Sequence, residues 1–239
     1  MKKMLLIILT GLLCAQLHAQ LMPVDEQNAV RQFPQISTVF NRVFNGSKLD
    51  SFYAKLAQLK KTGKGVVNIV HIGDSHIQAD YLTAVVRNGL QQFFGSAGRG
   101  LVFPYQLAVS NAPPDISSSS NISWQFNRVA HPEIPITPGI SGYTIRSGTP
   151  GASFDFSLKG QVIDNSFNRL RFFTDSSSSW ILQADNNAAP FLIKPDDDDP
   201  GQAQTIQLEQ KALSFTLSSL PSGNIKEFYG VSLENSGPG

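Results

Sequence analysis

The run Val66-Val67-Asn68-Ile69-Val70-His71-Ile72 ends abruptly in Gly73-Asp74-Ser75-His76, and a helical pattern begins almost at once. A β-branched apolar run closed by a glycine turn predicts a buried strand feeding a tight turn, with Ser75 held at the strand's carboxyl end. In open α/β sheets the crevice at the carboxyl ends of the strands is where ligands bind. A serine there is exposed on a sharp turn, and the N–H groups of the following helix N-terminus are available to an oxyanion. Ser75 is therefore a candidate nucleophile, with Gly73, Asp74 and His76 as candidate oxyanion and turn support. The same context also fits an ordinary turn serine that caps the next helix.

Helical spacing brackets this run on both sides. Leu49, Phe52, Leu56 and Leu59 share one face of a helix from about Ser47 to Lys61, with Ser47 and Asp50 spaced as a capping box and Gly63 as its stop. Leu82, Val85, Val86, Leu90 and Phe93 mark a second helix from Tyr81 to Phe94, ended by Gly95. A shorter helix is expected over Val24–Phe33, stopped by Pro34. Helix, strand, turn and helix make an α/β beginning.

Ahead of these elements, Met1–Ala19 has the layout of a secretory signal: Lys2-Lys3, an apolar core from Met4 to Leu13, and Leu17-His18-Ala19 before the cleavage point. The apolar core is too short to span a bilayer, so removal and export are expected rather than stable membrane insertion. Cys14, the one cysteine of the chain, lies inside this leader. The mature protein thus has no disulfide framework and no cysteine nucleophile or metal ligand. The 19 basic and 18 acidic residues give a net charge of +1, and loss of Lys2 and Lys3 leaves −1. That balance excludes a strongly electrostatic partner, and no nucleic acid is expected.

From Asn111 the texture changes. Asn111-Ala112-Pro113-Pro114-Asp115 and Ser117–Ser120 read as a polar hinge, and helical periodicity does not return. Short alternating runs follow: Ile122, Trp124 and Phe126; Phe154, Phe156 and Leu158; Ile206 and Leu208; Leu213, Phe215 and Leu217. Trp180–Leu182 and Phe191–Ile193 are further strand candidates, and turn clusters such as Ser147–Gly151 and Asp185–Asn187 separate them. Many short strands with frequent turns predict a β-sandwich over residues 111–227. Phe228–Leu233 then reads as a second strand of the α/β sheet. One such element cannot cover both faces of a parallel sheet, so residues 1–239 are expected to be the front part of a longer protein: a signal (1–19), the start of an α/β domain (20–110), an inserted jelly-roll-like sandwich (111–227) and a return to the α/β sheet (228–239).

Gly73-Asp74-Ser75-His76 after a strand resembles block I of the SGNH/GDSL hydrolases. The likeness runs through His71–Asp80 and Gly98–Tyr105, and with Gly230–Asn235 it is similar to the exported branch that includes peptidoglycan O-acetylesterases, in which a carbohydrate-binding-module-like sandwich follows block I. The resemblance implies an incomplete SGNH (flavodoxin-like) α/β domain and a cofactor-free serine esterase. The serine attacks the ester carbonyl, a histidine two or three residues after an aspartate acts as base, and the serine N–H, a glycine N–H and an asparagine side chain hold the oxyanion. Only the serine maps here, onto Ser75; the other blocks are expected beyond Gly239. Without its base a serine hydroxyl is a poor nucleophile.

Other chemistry-bearing residues carry a structural reading, and some of them a functional one beside it. Asp74 fixes the turn through backbone N–H groups. His76 follows the serine directly and serves the turn, and His71 is a core or sheet-surface residue. His131 precedes Pro132 in a solvated loop. No metal site is expected, because His71, Asp74, His76 and Asp80 share no strand or helix face. Asp196–Asp199 is a calcium-loop candidate or a solvated turn. Trp124 and Trp180 stack on sugar rings or pack the core. Arg99 meets an anionic sugar substituent or forms a salt bridge. The function expected is removal of acyl groups, O-acetyl first, from an envelope polysaccharide such as peptidoglycan. The alternatives are a non-catalytic carbohydrate-binding or adhesion protein, and an acyl transferase working through the same acyl-enzyme.

Overall fold

The computed structural model describes Arg31, Gln32, Pro34, Gln35, residues 43–130, Pro132, 134–159, 163–177, 179–194, 203–221 and 225–239, with Ser75 described by its backbone alone. The leader, most of the expected Val24–Phe33 helix, His131 and the Asp196–Asp199 loop lie outside these residues.

Two helices lie between Asp50 and Phe94. Helix α1, Asp50–Thr62, buries Leu56 and Leu59 and stops at Gly63, whose left-handed φ of 59° lets its N–H reach Leu59 O. The expected capping box at Ser47 does not form. A 3-10 turn over Gly46–Leu49 precedes the helix instead, and no side chain caps it. Helix α2, Tyr81–Phe94, has the predicted limits and ends at Gly95. The two are tied by Lys60, whose ammonium donates to Phe93 O at 2.6 Å and lies 4.1 Å from the Phe93 ring centre.

The remainder is a sandwich of two antiparallel sheets. Its strands are β1 (Gly98–Val102), β2 (Ile116–Ser120), β3 (Gln125–Arg128), β4 (Tyr143–Ser147), β5 (Ser153–Leu158), β6 (Phe167–Thr174), β7 (Trp180–Ala184), β8 (Phe191–Ile193), β9 (Gln204–Ala212), β10 (Ser214–Ser219) and β11 (Lys226–Glu234). One sheet runs β3-β4-β11-β6-β9, with β1 also on β11; the other runs β2-β5-β10-β7-β8. Alternation places Phe154, Phe156 and Leu158 of β5 and Phe215 and Leu217 of β10 inward, facing Leu170, Phe172, Phe228, Val231 and Leu233 from the other sheet. Ring contacts cross the gap: the centres of Phe154 and Phe228 are 5.2 Å apart, and those of Phe172 and Phe215 are 6.0 Å apart. Trp124 stacks beside Trp180, both buried, so the core-packing reading holds for both tryptophans.

Three expectations are corrected. Phe228–Leu233 does not rejoin an α/β sheet: β11 is the central strand of the six-stranded sheet, paired with β1, β4 and β6. The sandwich also begins before residue 111, because β1 pairs with β11 and Val102, Phe103 and Ala108 join the core. Ser117–Ser120 is no hinge. These serines form the edge strand β2, held in register by β5, and an edge position tolerates residues of low strand propensity.

The largest departure concerns the opening stretch. Val66–Ile72 forms no strand, and Val70 and Ile72 are 82% and 86% exposed. No parallel sheet occurs among the described residues, so the expected α/β SGNH (flavodoxin-like) domain is not formed by them. The reason is physical: a β-branched run becomes a strand only when neighbours satisfy its backbone.

Candidate functional site

The Gly73–Asp80 turn sits between the exposed run and helix α2. Asp74 has an extended backbone and caps a short 3-10 turn, Ser75–Asp80, by accepting the His76 N–H at 2.9 Å. The same Oδ1 lies 2.7 Å from His76 Nδ1. These two contacts hold the Asp74 carboxyl below the usual carboxylate range, the backbone hydrogen bond contributing most. The turn brings Asp74 and His76, the residues on either side of the serine in sequence, into contact with each other. Both side chains are exposed, as is His71, which is therefore not in a core. Gly73 packs against Ile77: a Cβ there would stand 3.2 Å from the Ile77 methyl.

Beyond Ser75 the backbone is strained. Ala79 and Asp80 take successive left-handed conformations, with φ of 57° and 65°, a region costly to residues with a side chain. What holds them is a buried charge network that sequence reasoning missed. Asp80 receives both terminal nitrogens of Arg87, at 2.8 and 2.7 Å, and the Thr83 hydroxyl. Its Oδ2 also accepts Arg99 Nη2 at 2.7 Å, while Arg99 Nε donates to Asp115 at 2.7 Å. Of the two readings for Arg99, the salt bridge is the one realised, and it is buried. Burial raises the Asp80 pKa, but the hydrogen bonds from Arg87 and the charge of Arg99 outweigh it, and the carboxyl ends below its ordinary range. Beside the network, burial pushes the Tyr105 hydroxyl up to about 12, against the opposing pull of Arg99. The only available signal was charge placed oddly, as Asp80 before an apolar helix and Arg99 between two glycines.

This network fastens the serine turn to the sandwich. Arg99 belongs to β1, Asp115 precedes β2, and Asp80 ends the turn five positions after Ser75. Gln91 of α2 adds a hydrogen bond of 2.8 Å to Gly98 O. Chemically, the turn presents an open Asp–His pair beside a serine. Among the described residues no group of three or more His, Cys, Asp or Glu side chains is placed to hold a metal ion. No helix among them is long and apolar enough to cross a membrane.

A second feature lies on the open face of the five-stranded sheet. Ser119, Asp155, Thr216 and Gln183 stand opposite one another across β2, β5, β10 and β7. Thr216 Oγ1 donates to Asp155 at 2.6 Å. Four adjacent strands about 4.8 Å apart make this polar row roughly 14 Å long.

No family model matches this chain, and no curated protein does. Among solved structures it is similar to the family 32 carbohydrate-binding module of NanJ from Clostridium perfringens, solved with galactose, at 10% identity and a TM-score of 0.32 over 56% of this chain and 97% of that one. CpGH89CBM32-5 of Clostridium perfringens, solved with GalNAc-β-1,3-galactose, is 14% identical with a TM-score of 0.32, covering 50% of this chain and 94% of that one. A family two carbohydrate esterase from Cellvibrio japonicus is 15% identical with a TM-score of 0.28, covering 51% of this chain and 34% of that one.

Proposed function

We propose that the sandwich is a glycan-binding platform, and that the chain works as an exported carbohydrate-binding or adhesion protein with the Gly73–His76 turn fastened beside it. The observation that carries this reading is the polar row Ser119, Asp155, Thr216 and Gln183. It sets hydroxyl, carboxylate and amide groups in a line on a rigid sheet. Alternating donors and acceptors are what a chain of sugar hydroxyls needs, and a row fixed by strand register loses little entropy on binding. The aromatic residues of these strands point inward, so hydrogen bonding rather than ring stacking carries recognition. Export rests on the expected leader.

Affinity electrophoresis through gels containing cell-envelope polysaccharides tests this. The protein is expected to be retarded, and Asp155→Ala or Gln183→Ala, both at solvent-facing positions, to weaken retention at least about tenfold, or ~1.4 kcal/mol. Absence of retardation by any such glycan, or variants that bind unchanged, would overturn it.

A serine esterase is the second reading, favoured by the exposed Asp74–His76 pair flanking Ser75. Ser75 Oγ would attack an ester carbonyl of an acylated glycan, peptidoglycan O-acetyl groups being the first candidate. The alcohol would leave, and water would release the acid from the acyl-enzyme. No cofactor is required. Ser75→Ala in the full-length protein should then abolish acetate release while glycan retention persists. Undiminished release would remove Ser75 from the chemistry.

A further inference from the structure

The polar row across β2, β5, β10 and β7 has an order as well as a composition. Ser119 pairs with Asp155, Asp155 with Thr216, and Thr216 with Gln183, so a small hydroxyl side chain alternates with a longer carboxylate or amide from strand to strand. Further rows flank it in register: Ser117, Ser157 and Ser214 on one side, Ser153 and Ser218 on the other. Among the described residues the hydroxyls of these five serines bond to no other protein group, whereas Thr216 is held by Asp155. Asp155 is the one charged residue in these rows.

Spacing selects the ligand. Neighbouring strands lie about 4.8 Å apart, and a β-1,4-linked chain of pyranose rings is an extended ribbon whose rings advance by nearly the same length. Its rings also turn over at each linkage, so the same edge returns at every second ring. A chain laid across the strands therefore meets one strand per ring. It finds a hydroxyl at Ser119 and again at Thr216, and a longer polar group at Asp155 and again at Gln183. Chains linked α-1,4 or β-1,3 curl into helices and lose this step within a few rings. Strand twist turns the row through roughly 60–75° over its three steps. A single chain follows that turn by rotating about its linkages, and a flat crystalline face cannot.

We propose that the open face of the five-stranded sheet binds a single β-1,4-linked glycan chain laid across the strands, one ring each over β2, β5, β10 and β7. The inference rests on the glycan-binding reading of this face and adds the linkage, the direction and the number of rings. Ring edges, with their equatorial hydroxyl or acetamido groups, supply the donors and acceptors that meet the row. The Asp155 carboxylate repels chains of uronic acids, so the rings are neutral.

Isothermal titration calorimetry of the full chain with β-1,4-linked glucose and N-acetylglucosamine oligomers of one to six rings tests this. In at least one series affinity is expected to climb with each ring up to four, the tetramer binding at least about tenfold tighter than the dimer, and to level off beyond. Gln183→Ala should bring the tetramer to the affinity of the trimer. Tetramers of α-1,4-linked glucose and of β-1,4-linked mannuronic acid should bind at least about tenfold more weakly. Full affinity at one or two rings, equal binding of the α-linked or the acidic tetramer, or binding of neither neutral series would overturn the inference, while retardation in the gel assay keeps glycan recognition in place. Retardation by no glycan at all removes the underlying reading and this inference with it.

Discussion

Arg99 Nη2 lies 2.7 Å from Asp80 Oδ2, joining residues nineteen positions apart, with both side chains more than 90% buried. This contact makes the serine turn and the sandwich one mechanical unit, because Arg99 bonds Asp80 on one side and Asp115 on the other. Removing one partner of a buried pair leaves the other charge uncompensated. Arg99→Met should therefore destabilise the fold by about 3–5 kcal/mol, measured by urea unfolding with fluorescence from Trp124 and Trp180.

The same network sets an acid limit. Asp80 has a folded-state pKa below its unfolded value. Its contribution is therefore present above the unfolded value of about 3.9 and is lost as pH falls through the folded one. Stability from this group should be flat from neutral pH down to about 5 and should decline below about 4. Asp80→Asn should lower stability at neutral pH and flatten the acid slope. An unchanged slope would show that Asp80 does not titrate as the network requires.

Tyr105 sets an alkaline limit of opposite sense. Its folded pKa is raised from 10.0 to about 12, so unfolding releases a proton between those values and stability falls as pH rises through them. Tyrosinate absorbance should report a late-titrating tyrosine that is absent in Tyr105→Phe.

Phe228 tests the reassignment of β11. It is fully buried, with ring centres 5.2 Å from Phe154 and 6.4 Å from Trp180. Phe228→Ala should cost about 3–5 kcal/mol and disturb the near-ultraviolet dichroism of the tryptophans. A strand outside the sandwich would leave that signal unchanged.

Gly98 tests the pairing of β1 with β11. It has a φ of 121°, and a Cβ there would fall 2.5 Å from Leu233 O. Gly98→Ala should destabilise by about 1–3 kcal/mol from backbone strain alone, more if the strands separate. Gly100→Ala gives the control, since its φ of 79° is similarly strained but nothing lies within 4 Å of its Cβ. Equal losses in both would argue against the close approach.

Local pattern determined much of this molecule. The period of Leu82, Val85, Leu90 and Phe93 fixed helix α2, and Gly63 and Gly95 fixed both helix ends, because 3.6-residue spacing and glycine stops act within one or two turns. Alternation in Phe154–Leu158 and Phe215–Leu217 likewise specified sandwich strands and their inward faces. What the tertiary structure alone decided is partnership. Phe228–Leu233 reads as a strand in any sheet, and only packing against Phe103, Phe154 and Trp180 placed it at the centre of the sandwich. Val66–Ile72 reads as a strand too, yet among the described residues only Gly239 meets its backbone. The Asp80–Arg99–Asp115 network was illegible for the same reason: charges nineteen and sixteen residues apart are paired by the fold that buries them, and no local spacing records it.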